Sequence, residues 1–128
     1  MKPIAATFFL LFSMSALAQI EMQKNEWLYE NCKLYQRLKT DSLSGVDVVK
    51  ASNCLAYMDG ALKMFELKST KQCVPPNKSL RAFIDDYVAF VRKTGALDED
   101  KEVVVLSFLE ECYCNKGKKA PMLCPSYP

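Results

Sequence analysis

The feature that most limits how this chain can fold is its set of six cysteines. They all follow the N-terminal apolar run: Cys32, Cys54, Cys73, Cys112, Cys114 and Cys124. An even cysteine count in a short exported chain is typical of a disulfide framework, and each bridge stabilises a small domain by ~2–4 kcal/mol. A zinc site fits less well, because a single residue separates two of these cysteines and the sequence contains no histidine.

The N-terminal region predicts export through a cleavable signal peptide. A short basic start precedes an apolar run over residues 4–15, and residues 16–18 form the small-x-small pattern that signal peptidase accepts. We expect cleavage after Ala18, which makes residues 1–18 the signal peptide and residues 19–128 one domain. The polar residues 19–25 argue against an uncleaved anchor. The predicted localisation is therefore outside the cytoplasm.

The charge balance gives no reason to expect nucleic acid or an anionic membrane as a partner. The chain has 17 basic and 15 acidic residues, which are interspersed along the sequence. Binding to a polyanion or to an anionic lipid surface favours a clear basic excess. We therefore predict no nucleic-acid partner, and no membrane association after signal cleavage.

Apolar periodicity predicts an all-α fold, a small disulfide-stapled bundle of about four helices (two helical hairpins) with a C-terminal tail. The first helix is expected over residues 24–39. The second begins near residues 44–47 and ends near Lys68. Its expected core stripe recurs at steps of three and four residues: Val48, Ala51, Leu55, Met58, Leu62 and Phe65.

The second half of the sequence predicts two more helices. The third follows an N-cap at Ser79 or Asn77 and ends at Gly95, a residue suited to the left-handed C-cap. The fourth opens with the three acids of residues 98–100 and is apolar nearly all round, so we expect it to be the most buried helix. A strand over residues 103–106 is the less favoured alternative, because no second strand is available to pair with it. Residues 115–128 are expected to form a loop or tail.

The spacing of the first two helices predicts a Cys32–Cys54 bridge. In an antiparallel hairpin centred near Leu43, facing residues lie equally far from the centre, and both cysteines lie eleven residues from it. The same rule places apolar residues opposite each other: Leu38 and Val48, Tyr35 and Ala51, Leu28 and Met58. The spacing does not decide whether Cys112 or Cys114 closes the tail onto Cys124.

The sequence predicts neither catalysis nor a cofactor nor a metal site. Without histidine, the usual Ser-His and Cys-His nucleophile pairs cannot be built. The adjacent acids Asp85-Asp86 and Glu110-Glu111 would point about 100° apart on a helix and would not share a site. An exported enzyme that uses lysine or carboxylate groups remains the alternative.

Tyr57 and Gly60 have two interpretations. In the favoured one, Gly60 allows a second helix to pack closely, and Tyr57 fills the edge of the core. In the other, Asn53, Tyr57, Gly60 and Met64 form a contact surface beside the core stripe. Tyrosine and methionine, with an exposed Trp27, are residue types that protein interfaces use.

Two charge clusters are candidates for partner contact. The first is acidic and precedes the fourth helix: Asp98, Glu99 and Asp100. The second is basic and lies in the tail: Lys116, Lys118 and Lys119. Loops on a rigid scaffold are where binding residues concentrate.

The sequence resembles the Rap/Tai family of type VI secretion immunity proteins. The resemblance is carried by Cys54-x-x-Tyr57-x-x-Gly60 and by Cys73-Val-Pro75, with an earlier Cys32 and a later apolar helix that ends in a cysteine. The chain departs from the family pattern at four positions: Ala56, Tyr113, Cys112 and Cys124.

The resemblance implies a periplasmic helical bundle, often a homodimer, that does no chemistry. Its partner would be a cognate secreted peptidoglycan amidase toxin, whose active-site cleft it plugs stoichiometrically. The resemblance also implies a Cys73–Cys114 bridge, which leaves Cys112–Cys124 as the third. The alternative function is an exported carrier of a small ligand or lipid, although the large apolar side chains are expected to fill the core.

Overall fold

The computed structural model describes residues 16–68, 73–114 and 123–124. Within them the fold is all-α, as the periodicity predicted. Residues 16–23 are helical, and residues 16–24 are exposed. The remaining elements are α1 (Asn25–Arg37), α2 (Gly45–Lys68), α3 (Leu80–Thr94), α4 (Lys101–Leu109) and a π-helical turn that continues α4 (Glu110–Cys114).

The ends of α3 lie where its capping residues predicted them, and α4 begins just after the three acids that were expected to open it. The Ser79 hydroxyl accepts a hydrogen bond from the Ala82 amide at 3.1 Å, and α3 therefore begins at residue 80. Gly95 adopts φ 69° and ends α3 in the left-handed conformation. The Asp100 carboxylate accepts from the Glu102 amide at 2.9 Å and caps α4.

The core is centred on α3 and on one face of α4. The Phe108 ring lies 5.3 Å from Phe83 and 5.4 Å from Phe90, measured between ring centroids, and Tyr87 and Tyr113 complete the aromatic cluster. Such tilted and edge-on contacts are the favoured geometries of aromatic pairs. Seven of the 15 residues of α3 are buried, including Ile84, Val88 and Val91.

The expectation that α4 is the most buried helix is wrong; α3 is. Val103 is 55% exposed and Leu106 is 52% exposed. Only the face of α4 that carries Val104, Val105 and Phe108 meets the core, although apolar residues surround the helix. The alternative strand over residues 103–106 is also wrong, since these residues are helical.

The predicted core stripe of α2 is partly wrong, because the helix is rotated about its axis. Val48 and Leu55 are exposed, whereas Cys54 is fully buried between Ala51 and Met58. The bridge to α1 turns Cys54 inward, and the next residue then points about 100° away from the core. Leu62 and Phe65 are half-buried against the core.

Three disulfides staple the bundle, and they are the pairs named above. Cys32–Cys54 joins α1 to α2 with the Cα atoms 5.0 Å apart, and Leu28 and Met58 are buried beside it. Leu38 lies beyond the end of α1 at Arg37, and like Val48 it is exposed. The other two bridges are Cys73–Cys114 and Cys112–Cys124. Three disulfides indicate a non-reducing, exported environment.

Asn25 fixes the connection between α3 and α4 against α1. Its side-chain amide donates to the Ala96 carbonyl at 2.6 Å, its backbone amide donates to the Glu99 carbonyl at 2.8 Å, and it accepts from the Tyr87 hydroxyl at 2.5 Å. A fully buried polar side chain with all these partners specifies one arrangement of the surrounding elements. The start of α4 is therefore held beside the start of α1.

Candidate interaction groove

An open cleft of about 680 Å³ lies between the second half of α2 and α4. We call this cleft the α2–α4 groove. It is mostly apolar, with charged residues among its lining. The lining residues are Ala56, Tyr57, Gly60, Ala61, Met64, Phe65 and Lys68 from α2, and Glu102, Val105, Leu106, Leu109 and Glu110 from α4 and the π-helical turn.

The α2 wall of the groove extends past the start of α1. The hairpin pairing that places Cys54 opposite Cys32 places Ala61 opposite Asn25, the first residue of α1. Beyond Ala61, α2 has no facing turn of α1 to cover it. The turns that follow continue the wall that Ala56, Tyr57 and Gly60 begin, and α4 forms the other wall.

The two walls run in the same direction and are about two to three helical turns long. Tyr57 faces the start of α4, where the ammonium of Lys101 lies 5.4 Å from its ring centroid, and Lys68 and Glu110 line the groove at later positions. The span from Ala56 to Lys68 is about 18 Å at the rise of an α-helix. The α4 wall, from Glu102 to Glu110, is about 12 Å long.

Apolar side chains in the groove are exposed. Met64 is 53% exposed, and Leu106 on the opposite wall is 52% exposed. Leu67 of the same α2 turn is also exposed, but it does not line the groove. Several large apolar residues that converge on one concave surface are typical of an interaction site, unlike single apolar residues scattered over a surface.

Lys101 holds the Tyr57 end of the groove in place. Its ammonium lies between the Trp27 and Tyr57 rings, 5.6 Å and 5.4 Å from their centroids, and donates to the Met22 carbonyl at 2.6 Å. Cation–π contacts of this kind link α1, α2 and α4. Trp27 is half-buried in this arrangement, so the expectation of an exposed Trp27 is wrong.

Tyr57 is protonated over the whole physiological range. Burial raises the pKa of Tyr57 to about 12, and the carboxylates of Glu102 and Asp100 contribute further. Its hydroxyl makes no hydrogen bond within the described part of the chain. The ring lines the groove, and the hydroxyl can donate to a bound group.

Gly60 does not serve helix packing, and the favoured interpretation of this glycine is therefore wrong. Gly60 is exposed, and a Cβ atom built on it would meet nothing within 4 Å among the described residues. Glycine inside a helix costs about 1 kcal/mol relative to alanine. Tyr57, Gly60 and Met64 all line the groove, as the contact-surface interpretation required, whereas Asn53 is exposed outside it.

The charges in the groove are unpaired within the described residues. Glu102 lies at one end, and Glu110 and Lys68 line the groove at the other. None of the three forms a salt bridge in residues 16–68 or 73–114, although Asp59 and Lys63 on the outer side of α2 pair with each other at 2.7 Å. At the Glu102 end the cap Asp100 adds a second carboxylate, while Lys101 is engaged by the two rings.

The residues predicted for partner contact do not line this groove, although the Asp100 carboxylate lies beside Glu102 at one end of it. Asp98 is exposed and lies 3.6 Å from Lys24, Glu99 is exposed, and Asp100 caps α4. Lys116, Lys118 and Lys119 lie outside the described residues. Of the motif residues, Cys54 is buried in a disulfide, Cys73 is half-buried and Pro75 is exposed away from the groove.

The acid pairs are separated as their helical spacing predicted. Asp85 accepts a hydrogen bond from Gln36 at 2.9 Å, whereas Asp86 is buried, accepts from the Tyr113 hydroxyl at 2.7 Å and pairs with Lys78. Among the described residues, no group of three or more potential ligands could hold a metal ion. No helix in this part of the chain is long and apolar enough to cross a membrane.

Sequence reasoning missed the α4 wall of the groove. The residues concerned are Glu102, Val105, Leu106, Leu109 and Glu110. The available signal was that α4 carries apolar residues on every side, a pattern that we interpreted as burial on every side. The same pattern also fits a helix with one face in the core and a second face on an interaction surface.

Comparisons with known proteins do not add to these observations. No family model, no curated protein and no solved structure matches the chain.

Proposed function

We propose that this protein is a periplasmic immunity protein, which binds a type VI-secreted peptidoglycan amidase toxin and occludes its active site. One observation carries the proposal. Tyr57 and Gly60, two residues of the motif that resembles the Rap/Tai family, line an open apolar groove on a disulfide-stapled frame. A rigid frame with a preformed apolar surface loses little entropy on binding, and this suits tight stoichiometric inhibition.

The mechanism is steric and requires no chemistry from this chain. A stable inhibitory complex of this kind buries about 1,200–2,000 Å², with a few apolar residues as anchors. Met64 and Leu106 supply exposed anchors on opposite walls of the groove. The protein would act as a homodimer, a state that analytical ultracentrifugation measures directly.

The test takes as partner the product of the gene adjacent to this one, which the proposal expects to encode a peptidoglycan amidase. Purified protein should inhibit the amidase completely at an equimolar ratio, and cells that express the full chain should survive delivery of the toxin to the periplasm. A version without residues 1–18, confined to the cytoplasm, is the matched control and should not protect. Absence of both binding and protection would contradict the proposal.

A carrier of a small apolar ligand or a lipid is the second candidate, and the groove itself favours it. A volume of about 680 Å³ lies within the range of small-molecule sites. This function requires a ligand that accompanies the purified protein. Organic extraction followed by mass spectrometry distinguishes it from the first candidate, because an immunity protein should carry no stoichiometric ligand.

A further inference from the structure

The α2–α4 groove has the properties of a receptor for a helix. Its walls are two α-helices, whose backbone N–H and C=O groups are already bonded within each helix. An extended peptide in such a groove would leave its own backbone groups without partners, at a cost for each one. A helical occupant satisfies its backbone internally and presents only side chains.

The dimensions of the groove fit a short segment of an amphipathic helix. The walls are about 12–18 Å long, which corresponds to two to three turns of a bound helix. Helices that enter apolar grooves use anchors at i, i+4 and i+7 spacing. Phe65, Val105 and Leu109 form the inner part of the groove, and Met64 and Leu106 are the exposed side chains that such anchors would cover.

Gly60 supplies an independent reason to expect an occupant from outside the described chain. It lies in the groove wall, and no described residue lies close enough to a Cβ atom at this position to require a glycine there. A glycine at a helix surface lets another backbone approach closely. The open space above Gly60 is where the bound helix would come nearest to α2.

The charges favour a basic helix over an acidic one. At one end Glu102 has no ion-pair partner among residues 16–68 and 73–114, and the Asp100 carboxylate lies beside it. At the other end Glu110 and Lys68 oppose each other in sign. The net charge is negative at the Glu102 end, where an arginine or lysine of the occupant would lie.

We propose that the α2–α4 groove receives an amphipathic helix of the partner toxin, with its apolar stripe on the groove floor and a basic side chain beside Glu102. This inference rests on the proposed function for the identity of the partner. The chemistry of the groove can nevertheless be tested with defined probes, independently of any toxin.

The probes are two helix-stabilised peptides of about 14 residues, long enough to exceed both walls. They share three leucines at i, i+4 and i+7 spacing, and differ only in lysine or glutamate at both ends. Titration into isotope-labelled full-length mature protein, followed by NMR, should show shifts confined to the groove. We expect the lysine-ended peptide to bind at least tenfold more tightly, and Glu102→Lys to abolish or reverse this preference.

A matched pair of variants tests the groove wall. Gly60→Leu should weaken binding of the lysine-ended peptide at least tenfold, because the new side chain would fill the groove. Asn53→Leu adds the same side chain to an exposed position of the same helix outside the groove and should leave affinity unchanged. Circular dichroism verifies that both variants are folded. Gly60→Ala provides a milder version that favours the helix and still narrows the groove.

Several outcomes would overturn this inference. Equal affinity for the two peptides, or no binding of either, would do so. So would a dimer that Gly60→Leu dissociates and Asn53→Leu does not, because the groove would then receive a second copy of this chain. A stoichiometric fatty acid or phospholipid displaced by Gly60→Leu would also overturn it.

The same variants separate this inference from the proposed function. If wild-type protein inhibits the amidase and Gly60→Leu inhibits it equally well, the immunity function stands and the groove inference fails. If the lysine-ended peptide binds more tightly but no amidase is bound, the groove binds a basic helix and the proposed partner is wrong. The inference then fails in naming the toxin as the source of that helix.

Discussion

Two faces of α4 show how the same composition serves two different purposes. Phe108 is fully buried at the centre of the aromatic cluster, whereas Leu106, two residues earlier, is half-exposed in the α2–α4 groove. On the packed side, each of the other four buried aromatic rings contacts Phe108, and the buried tyrosine hydroxyl groups have acceptors. On the groove side, Met64 and Leu106 are about half exposed, and the charged residues Glu102, Glu110 and Lys68 form no salt bridge within the described residues. An apolar helix face is thus evidence for burial only once something is shown to cover it.

The largest contrast in stability should come from replacing Phe108 and Leu106, one at a time, with alanine. Phe108→Ala should lower the free energy of unfolding by about 3–5 kcal/mol, because it leaves a cavity among four aromatic rings. Leu106→Ala should change it by less than about 0.5 kcal/mol. Urea unfolding monitored by circular dichroism measures both. A large decrease in the free energy of unfolding for Leu106→Ala would mean that the groove is packed in solution. The two faces of α4 would then not differ in packing.

The crosslinks offer a second comparison along the chain. Removing the Cys32–Cys54 bridge by Cys32→Ala and Cys54→Ala should cost about 2–5 kcal/mol, since both cysteines are fully buried in the α1–α2 interface. Removing Cys112–Cys124 should cost about 0.5 kcal/mol less from loop entropy alone, because it closes a span of 12 residues rather than 22.

Unfolding of the two double variants under non-reducing conditions tests this order. The remaining bridges must be intact in each sample, which mass mapping verifies. If loss of Cys112–Cys124 lowered the free energy of unfolding more than loss of Cys32–Cys54, the C-terminal tail would stabilise the fold through contacts beyond its disulfide.

Two tyrosine hydroxyls sharpen the comparison at the level of single atoms. Tyr113 donates to the buried Asp86 carboxylate at 2.7 Å, and a hydrogen bond to a charged group contributes about 1.5–3 kcal/mol. Tyr113→Phe should therefore lower the free energy of unfolding by that amount. Tyr57→Phe should lose close to none, because its hydroxyl has no partner in the described chain.

The same pair also separates folding from binding. Tyr57→Phe should reduce affinity for the partner if the groove uses that hydroxyl, with unchanged chemical denaturation. An equal loss of stability in both variants would show that Tyr57 belongs to the packed side.

Local signals predicted much of the fold. Ser79, Gly95 and Asp100 place helix ends through side-chain or backbone conformations that depend only on nearby residues. The hairpin arithmetic also located the Cys32–Cys54 bridge, because two straight helices and a short loop leave little freedom of register. These features follow from short-range geometry.

The groove could not be predicted in the same way. Its presence depends on how far α2 runs past Asn25 and on the rotation of α2 that buries Cys54 and exposes Leu55. Because α4 carries apolar residues on all sides, its sequence has no periodicity that shows which face is buried. Gly60 could not be assigned either, since a sequence does not show whether the space beside a glycine is filled or open.

The smallest predicted effects come from two glycines and have opposite signs. Gly60→Ala should raise the free energy of unfolding by about 1 kcal/mol, because alanine is the better helix former and its Cβ meets no described residue within 4 Å. Gly95→Ala should lower it by about 1 kcal/mol, because φ 69° at the end of α3 disfavours any side chain. Thermal and urea unfolding of both variants measure the signs directly. A stabilised Gly60→Ala protein that binds its partner less well would show that this glycine is retained for binding at the expense of stability. A destabilised one would mean that the space beside Gly60 is filled in the folded chain, and the groove side would then obey the same packing rules as the core.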